Sequence, residues 1–136
     1  MTVTADITLD ELRREDTACV VLPGGKAGTE ALSENPRVRS LIEYAAARGI
    51  TVAAICAAPS ILGNMGLLEG RNAAVYPDFA PALAGANITG KKVESDDIFI
   101  TAEGMGVSFE FGFRLIESLF GSDRVAEIKS QIRYGE

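Results

Sequence analysis

Cys56 is the residue best placed for covalent chemistry. It stands in the string AAICAAPS, residues 53–60, where an apolar run ends and a helix led by Pro59 is expected. A cysteine attacks as the thiolate, so something must favour the anion. The usual activator is absent, because the 136 residues include no histidine. What remains is the positive end of the following helix with its free N–H groups. Ala57 and Ala58 are small enough for a sharp turn, and the N–H that Pro59 lacks is unused in a first helical turn. The layout is that of a nucleophile elbow without the Gly-x-Ser-x-Gly spelling. Gly24 and Gly25, after a second apolar run, would bring backbone N–H groups toward the sulfur and form an oxyanion hole with the Ala57 amide. The same position equally suits a small buried hydrophobe, a common role for a free cysteine.

Both turns need strands to carry them. Residues 19–22 and 50–55 are apolar runs that read as buried, parallel strands, and functional groups gather beyond the carboxyl ends of such strands. Asn35-Pro36 opens a helix with the stripe Val38, Leu41, Ile42, Ala45 and Ala46, and Gly49 ends it. Residues 59–65 read as a short helix stopped near Gly66. Residues 73–76 read as a short strand, and 92–94 and 98–101 as two strands about a turn at Asp96-Asp97. A helix over 107–120 has Phe109, Phe113, Ile116 and Phe120 as core candidates, and 123–133 makes the last helix. Near the N-terminus, 3–5 reads as a strand remnant. Thr8 and Glu11 fit a capping box for a helix over 9–14. Strands alternating with helices give an α/β layered sheet in one domain.

Composition narrows the function classes. The net charge of −6, with dispersed basic residues, argues against nucleic acid and against an anionic membrane surface. The longest apolar stretch, 52–63, is too short to span a bilayer and is broken by Pro59. The N-terminus carries acids and no basic n-region, unlike a secretory signal. Two cysteines far apart, Cys19 and Cys56, suggest a reduced, cytoplasmic chain. No His and no Cys-x-x-Cys means that no metal site is expected. Cys19 reads as core. Lys26 is either an anion-attracting or a solvated lysine, and Gly24-Gly25-Lys26 lacks the phosphate-loop spacing.

AAICAAPS preceded by VVLPGG resembles the ThiJ/PfpI family of the class I glutamine amidotransferase-like superfamily. LPGGKAGTEALSENPRVRSLI is similar to the family's glycine loop and following helix. NAAVYPDFAPAL is similar to the segment after its elbow helix, and FITAEGMGVSFEFGFRLIESLFG to its glycine turn and long C-terminal helix. These strings lie within residues 17–134. The resemblance implies a flavodoxin-like three-layer sandwich with a mostly parallel sheet, usually dimeric. It implies Cys56 as the reactive cysteine, Gly25 and Ala57 as oxyanion donors, and Gly24 and Tyr76 at the substrate pocket. It also implies work without a cofactor: conversion of methylglyoxal to lactate, repair of early glycation adducts, peroxide sensing or a chaperone-like role.

The chain departs from the family pattern in three places. The family's first strand, helix and further strands have no counterpart before residue 17, so an N-terminally truncated domain is expected. The glutamate that the family supplies there to the cysteine is not carried over. Tyr76 stands where many members have histidine, and Glu103-Gly104-Met105-Gly106 replaces the usual Arg-Gly-Pro-Gly. Glu103 is a surrogate carboxylate or simply a solvated loop residue. Without the first strand, residues 19–22 become an apolar edge, and a homo-oligomer burying that edge is expected. The leading reading is a glyoxalase- or deglycase-like enzyme acting on small aldehydes. The alternatives are a redox-sensing or holdase protein using oxidation of Cys56, and an inactive fragment.

Overall fold

The two apolar runs become neighbouring strands, β1 (Cys19–Leu22) and β2 (Thr51–Ile55). In the computed structural model, which describes residues 1–136, they pair in parallel with Val20 opposite Val52 and Leu22 opposite Ala54. β6 (Phe99–Ala102) lies parallel on the other side of β2. β5 (Val93–Asp96) closes the sheet antiparallel, giving the order β1-β2-β6-β5. A two-residue loop joins β5 to β6. Its first residue, Asp97, takes φ 54°, a left-handed conformation that a short polar side chain tolerates. Two further short strands, β3 (Asn72–Ala73) and β4 (Asn87–Ile88), pair in parallel with each other.

The crossover from β1 to β2 is helical. α1 (Lys26–Glu34) runs into α2 (Pro36–Arg48) through Asn35, whose side-chain oxygen accepts from the N–H groups of Arg37 at 2.9 Å and Val38 at 3.4 Å. That cap and Pro36 at the first helical position start α2, and Gly49 in the left-handed conformation stops it. Val38, Ile42 and Ala45 of α2 pack with Val20, Leu22, Val52 and Ala54 into the larger core. α3 (Pro59–Asn64) adds Ile61 and Leu62 to it. Full burial of side chains such as Ile42 and Leu62 stabilises the fold by about 1.5–3 kcal/mol each.

The opposite face of the sheet is covered by α4 (Ser108–Phe120), and α5 (Ser122–Gln131) packs on α4. Phe111 meets Ala53, Ile100 and Ala102 in a second, smaller core. The hydroxyls of Thr51 and Ser118 pair at 3.0 Å and tie the far end of α4 to β2. Helices on both faces of a mostly parallel sheet make this the flavodoxin-like α/β sandwich expected from the sequence.

Several local expectations give way. Residues 3–5 form no strand, and 9–14 form no helix: a turn at 9–11 leads to a single 3-10 turn, Arg14–Asp16. Half of the capping box exists, since the Thr8 N–H and hydroxyl both donate to the Glu11 carboxylate at 2.7 and 2.8 Å. The segment is nearly all exposed, and a helix that short does not persist without packing. α1 was not expected as a separate helix. The strand expected over 73–76 shrinks to β3, and the hairpin turn sits one residue later, at Asp97-Ile98. Phe109 and Phe120 are exposed, because α4 turns Phe111 and Leu115 to the sheet instead. Of the expected stripe, Phe113 is buried. The Tyr134 ring packs edge-on against it at 4.8 Å.

Candidate active site

Cys56 follows the last residue of β2 and is separated from α3 by Ala57 and Ala58, so it occupies a strand-to-helix corner. Its φ is 65°, one of three positive values at non-glycine residues in the chain. A side chain in that region is strained by about 1–3 kcal/mol and persists where its surroundings over-determine it. Here two hydrogen bonds grip the residue's own peptide groups. The Cys56 N–H donates to the Ala102 carbonyl at 2.9 Å, and the Cys56 carbonyl accepts from the Tyr76 N–H at 2.9 Å. β6 and the segment after β3 thus hold the corner from outside.

The next turn is fixed from below. The Ala58 N–H donates to the Ile55 carbonyl at 3.1 Å, and the buried Ser60 hydroxyl donates to the Ala57 carbonyl at 2.6 Å. The Ala57 N–H makes no hydrogen bond within the chain. Ala57 is buried, so this amide has a strong reason to meet an incoming acceptor. α3 has only six residues, and its dipole is correspondingly short.

Gly24 closes the other side. A β-carbon on Gly24 would stand 2.6 Å from Cys56 Cβ, 2.9 Å from the Ile55 carbonyl oxygen and 3.4 Å from Cys56 Sγ. Only glycine fits there, so the loop after β1 is pressed against the thiol residue. Gly25 follows with φ 87° and opens α1, and its N–H is also free of intrachain partners. The structure therefore brings Gly24 and Cys56 into contact, with free amides next to each.

Tyr76 enters the site through its backbone. Its ring is exposed and lies beside Gly104, where a β-carbon would be 3.7 Å from Cδ2. Glu103 lies one residue beyond β6, half-exposed, and its N–H donates to the Lys92 carbonyl at 2.8 Å. Neither its carboxylate nor any other group hydrogen-bonds the Cys56 thiol. Cys56 is half-buried. Cys19, at the start of β1, is a contrasting thiol, since burial raises its pKa above the ordinary value. No set of three or more His, Cys, Asp or Glu side chains is grouped as a metal site.

Sequence reasoning missed three contributors. Ser60 is legible in principle as a hydroxyl in the first turn after the elbow. Thr101 is the one hydroxyl in the apolar strand β6, and it accepts from the Ala74 N–H at 2.9 Å. The Ala102 carbonyl left no signal, since any residue supplies one.

Comparison with known proteins bears on this geometry. The profile of the DJ-1/PfpI family matches residues 1–118. The chain is 34% identical over 125 residues to protein dj-1beta of Drosophila melanogaster, covering 90% of this chain and 67% of that one. It is 30% identical to the isonitrile hydratase of Pseudomonas putida, covering 88% and 52% of the two chains. It is 27% identical to the glutathione-independent glyoxalase DJR-1.2 of Caenorhabditis elegans, covering 90% and 66%. The crystal structure of Drosophila DJ-1beta superposes with a TM-score of 0.89 at 31% identity, over 98% of this chain and 73% of that one. The chain thus spans between about half and two thirds of the length of these three curated relatives. No helix is long and apolar enough to cross a membrane.

Proposed function

The chain belongs to the DJ-1/PfpI family, and on that premise we propose that it is a cysteine-dependent enzyme acting on reactive aldehydes such as methylglyoxal or their early glycation adducts, without a cofactor. The observation that carries this reading is the constrained corner at Cys56, with φ 65° and the free Ala57 and Gly25 amides close by in the fold. The Cys56 sulfur attacks the aldehyde carbon to form a hemithioacetal. The carbonyl oxygen becomes an oxyanion, and the Ala57 and Gly25 N–H groups are the donors that would stabilise it. A proton then moves from the former aldehyde carbon to the neighbouring carbonyl carbon, whose oxygen takes up the proton given up by the hemithioacetal hydroxyl, leaving a thioester. Water releases lactate and restores the thiol. Gly24 keeps the loop against the thiol residue, and Tyr76 is retained at the substrate pocket on the family resemblance.

The remaining proposals follow from the same reading. The open β1 edge, with exposed Val21 on the face beside α4, supports burial against a second copy of the chain. Glu103 is retained as the carboxylate nearest in sequence to the glycine turn, for a proton-shuttle role. A cytoplasmic location agrees with two unpaired thiols. A second reading, oxidation of Cys56 to a sulfinate, draws on the same free amides, which would hold its oxygens equally well.

The test is lactate formation from methylglyoxal in the absence of glutathione. The parent chain is expected to turn over, and Cys56→Ser to lose at least about a hundredfold in rate. Equal rates in both would remove Cys56 from the reaction. Peroxide-dependent oxidation of Cys56 without turnover would support the second reading, and hydration of an isonitrile in place of aldehyde turnover would redirect the substrate class.

A further inference from the structure

The strain at Cys56 has to be held by something, and the hydrogen bonds around it lead to a residue outside the elbow. The Cys56 carbonyl is held by the Tyr76 N–H at 2.9 Å. Tyr76 belongs to the segment after β3, which has only two ladder residues, Asn72 and Ala73, to fix it. Beyond them Val75 packs into the larger core, and one side chain hydrogen-bonds the backbone: the Thr101 hydroxyl accepts from the Ala74 N–H at 2.9 Å. Both residues are essentially sealed from solvent, Thr101 at 1% and Ala74 at 2% exposure. The N–H has no water to fall back on if that oxygen is removed. Thr101 also precedes Ala102, whose carbonyl takes the Cys56 N–H. Two adjacent residues of β6 thus reach both sides of the thiol's peptide, Ala102 directly and Thr101 through residues 74–76.

We propose that Thr101 is a positioning residue for Cys56, its hydroxyl setting the path of residues 74–76 so that the Tyr76 N–H meets the Cys56 carbonyl. This deepens the proposed function and rests on it for its catalytic meaning. The mechanical link stands apart from the chemistry and has its own readout. Threonine and valine share a shape, so Thr101→Val removes the acceptor while keeping the volume. Thr101→Ser keeps the acceptor and drops a methyl group. Thr29 supplies a control: it too is buried in the same fold, but its hydroxyl has no partner, so Thr29→Val breaks no hydrogen bond.

The experiment is amide hydrogen exchange at Ala74 and Tyr76 in the full chain, together with the rate of Cys56 alkylation in a Cys19→Ser background. In the parent, both amides are expected to be as protected as those of β6. Thr101→Val is expected to speed their exchange and to change the Cys56 alkylation rate by about tenfold or more, the scale of one lost buried hydrogen bond. Thr101→Ser is expected to restore both, and Thr29→Val to leave both unchanged. Unprotected amides in the parent would overturn the proposal even if Thr101→Val does not fold. So would exchange and alkylation in Thr101→Val within about twofold of the parent, or a matching response in Thr29→Val. If the parent turns over no aldehyde, the functional reading fails while the exchange data still decide the positioning role.

Discussion

Gly24 and Cys56 behave as one unit, because neither residue's environment exists without the other. With a β-carbon at Gly24 only 2.6 Å from Cys56 Cβ and 2.9 Å from a backbone oxygen, the clash is with atoms that cannot swing away. Gly24→Ala is therefore expected to cost about 1–3 kcal/mol in denaturant unfolding and to disturb Cys56 alkylation in whatever fraction still folds. Cys56 carries the complementary strain. Glycine tolerates φ 65° where alanine does not, so Cys56→Gly is expected to be more stable than Cys56→Ala by about 1 kcal/mol, measured by thermal unfolding. Both variants lose the thiol. That ordering would show that the backbone at this position is strained for any side chain with a β-carbon. The strand-to-helix corner at Cys56 was legible from the apolar run and Pro59, but that pattern suits a buried thiol equally well, and only the resemblance to the ThiJ/PfpI strings favoured an elbow. The grip on it was not legible, because the Ala102 carbonyl and the Tyr76 N–H are backbone groups from distant segments.

Element boundaries were legible where chemistry marks them. Asn35, Pro36 and Gly49 bracket α2, and the apolar runs of β1 and β2 needed no further signal. The phase of α4 was harder to read. Its sequence offers apolar residues around much of its circumference, so the stripe Phe109, Phe113, Ile116 and Phe120 looked as good as the one that faces the sheet. Sheet position decided the matter: Phe111 meets Ala53, Ile100 and Ala102, while Phe109 stands outward beside the Tyr134 ring at 5.6 Å. Phe111→Ala is expected to destabilise the chain by about 3–5 kcal/mol. Phe109→Ala should cost less than about 1 kcal/mol, since it loses only an exposed aromatic stack. Urea unfolding of both variants checks the assignment, and reversed magnitudes would mean that α4 is rotated. The failed helix over 9–14 makes the converse point, for its capping residues do meet but no hydrophobic face lies beneath them to bury.

At the scale of the whole molecule, the sheet has two edges, β5 and β1. β5 carries the carboxylates Glu94 and Asp96, whereas β1 is wholly apolar, pairs only with β2 and leaves Val21 48% exposed. The chain is expected to self-associate through this edge in a concentration-dependent way, read by sedimentation velocity. Val21→Lys places a charge on that surface and is expected to shift the equilibrium toward monomer without altering the circular dichroism spectrum. A parent chain that stays monomeric at every concentration would remove the edge as a contact surface. The α/β architecture itself followed from alternating strand and helix patterns, and the superposition over nearly the whole chain on Drosophila DJ-1beta agrees with it.

The central claim is that Cys56, held at a strained corner among free amides, is the reactive thiol of this chain. The most direct test uses the chain's other cysteine as an internal reference. Brief exposure of the native protein to iodoacetamide at neutral pH, followed by peptide mass spectrometry, compares the labelling of Cys56 and Cys19 in one sample. Burial disfavours the Cys19 thiolate, so Cys56 is expected to label at least about tenfold faster, with the difference vanishing in denaturant. Equal labelling in the native state, or faster labelling of Cys19, would contradict the account.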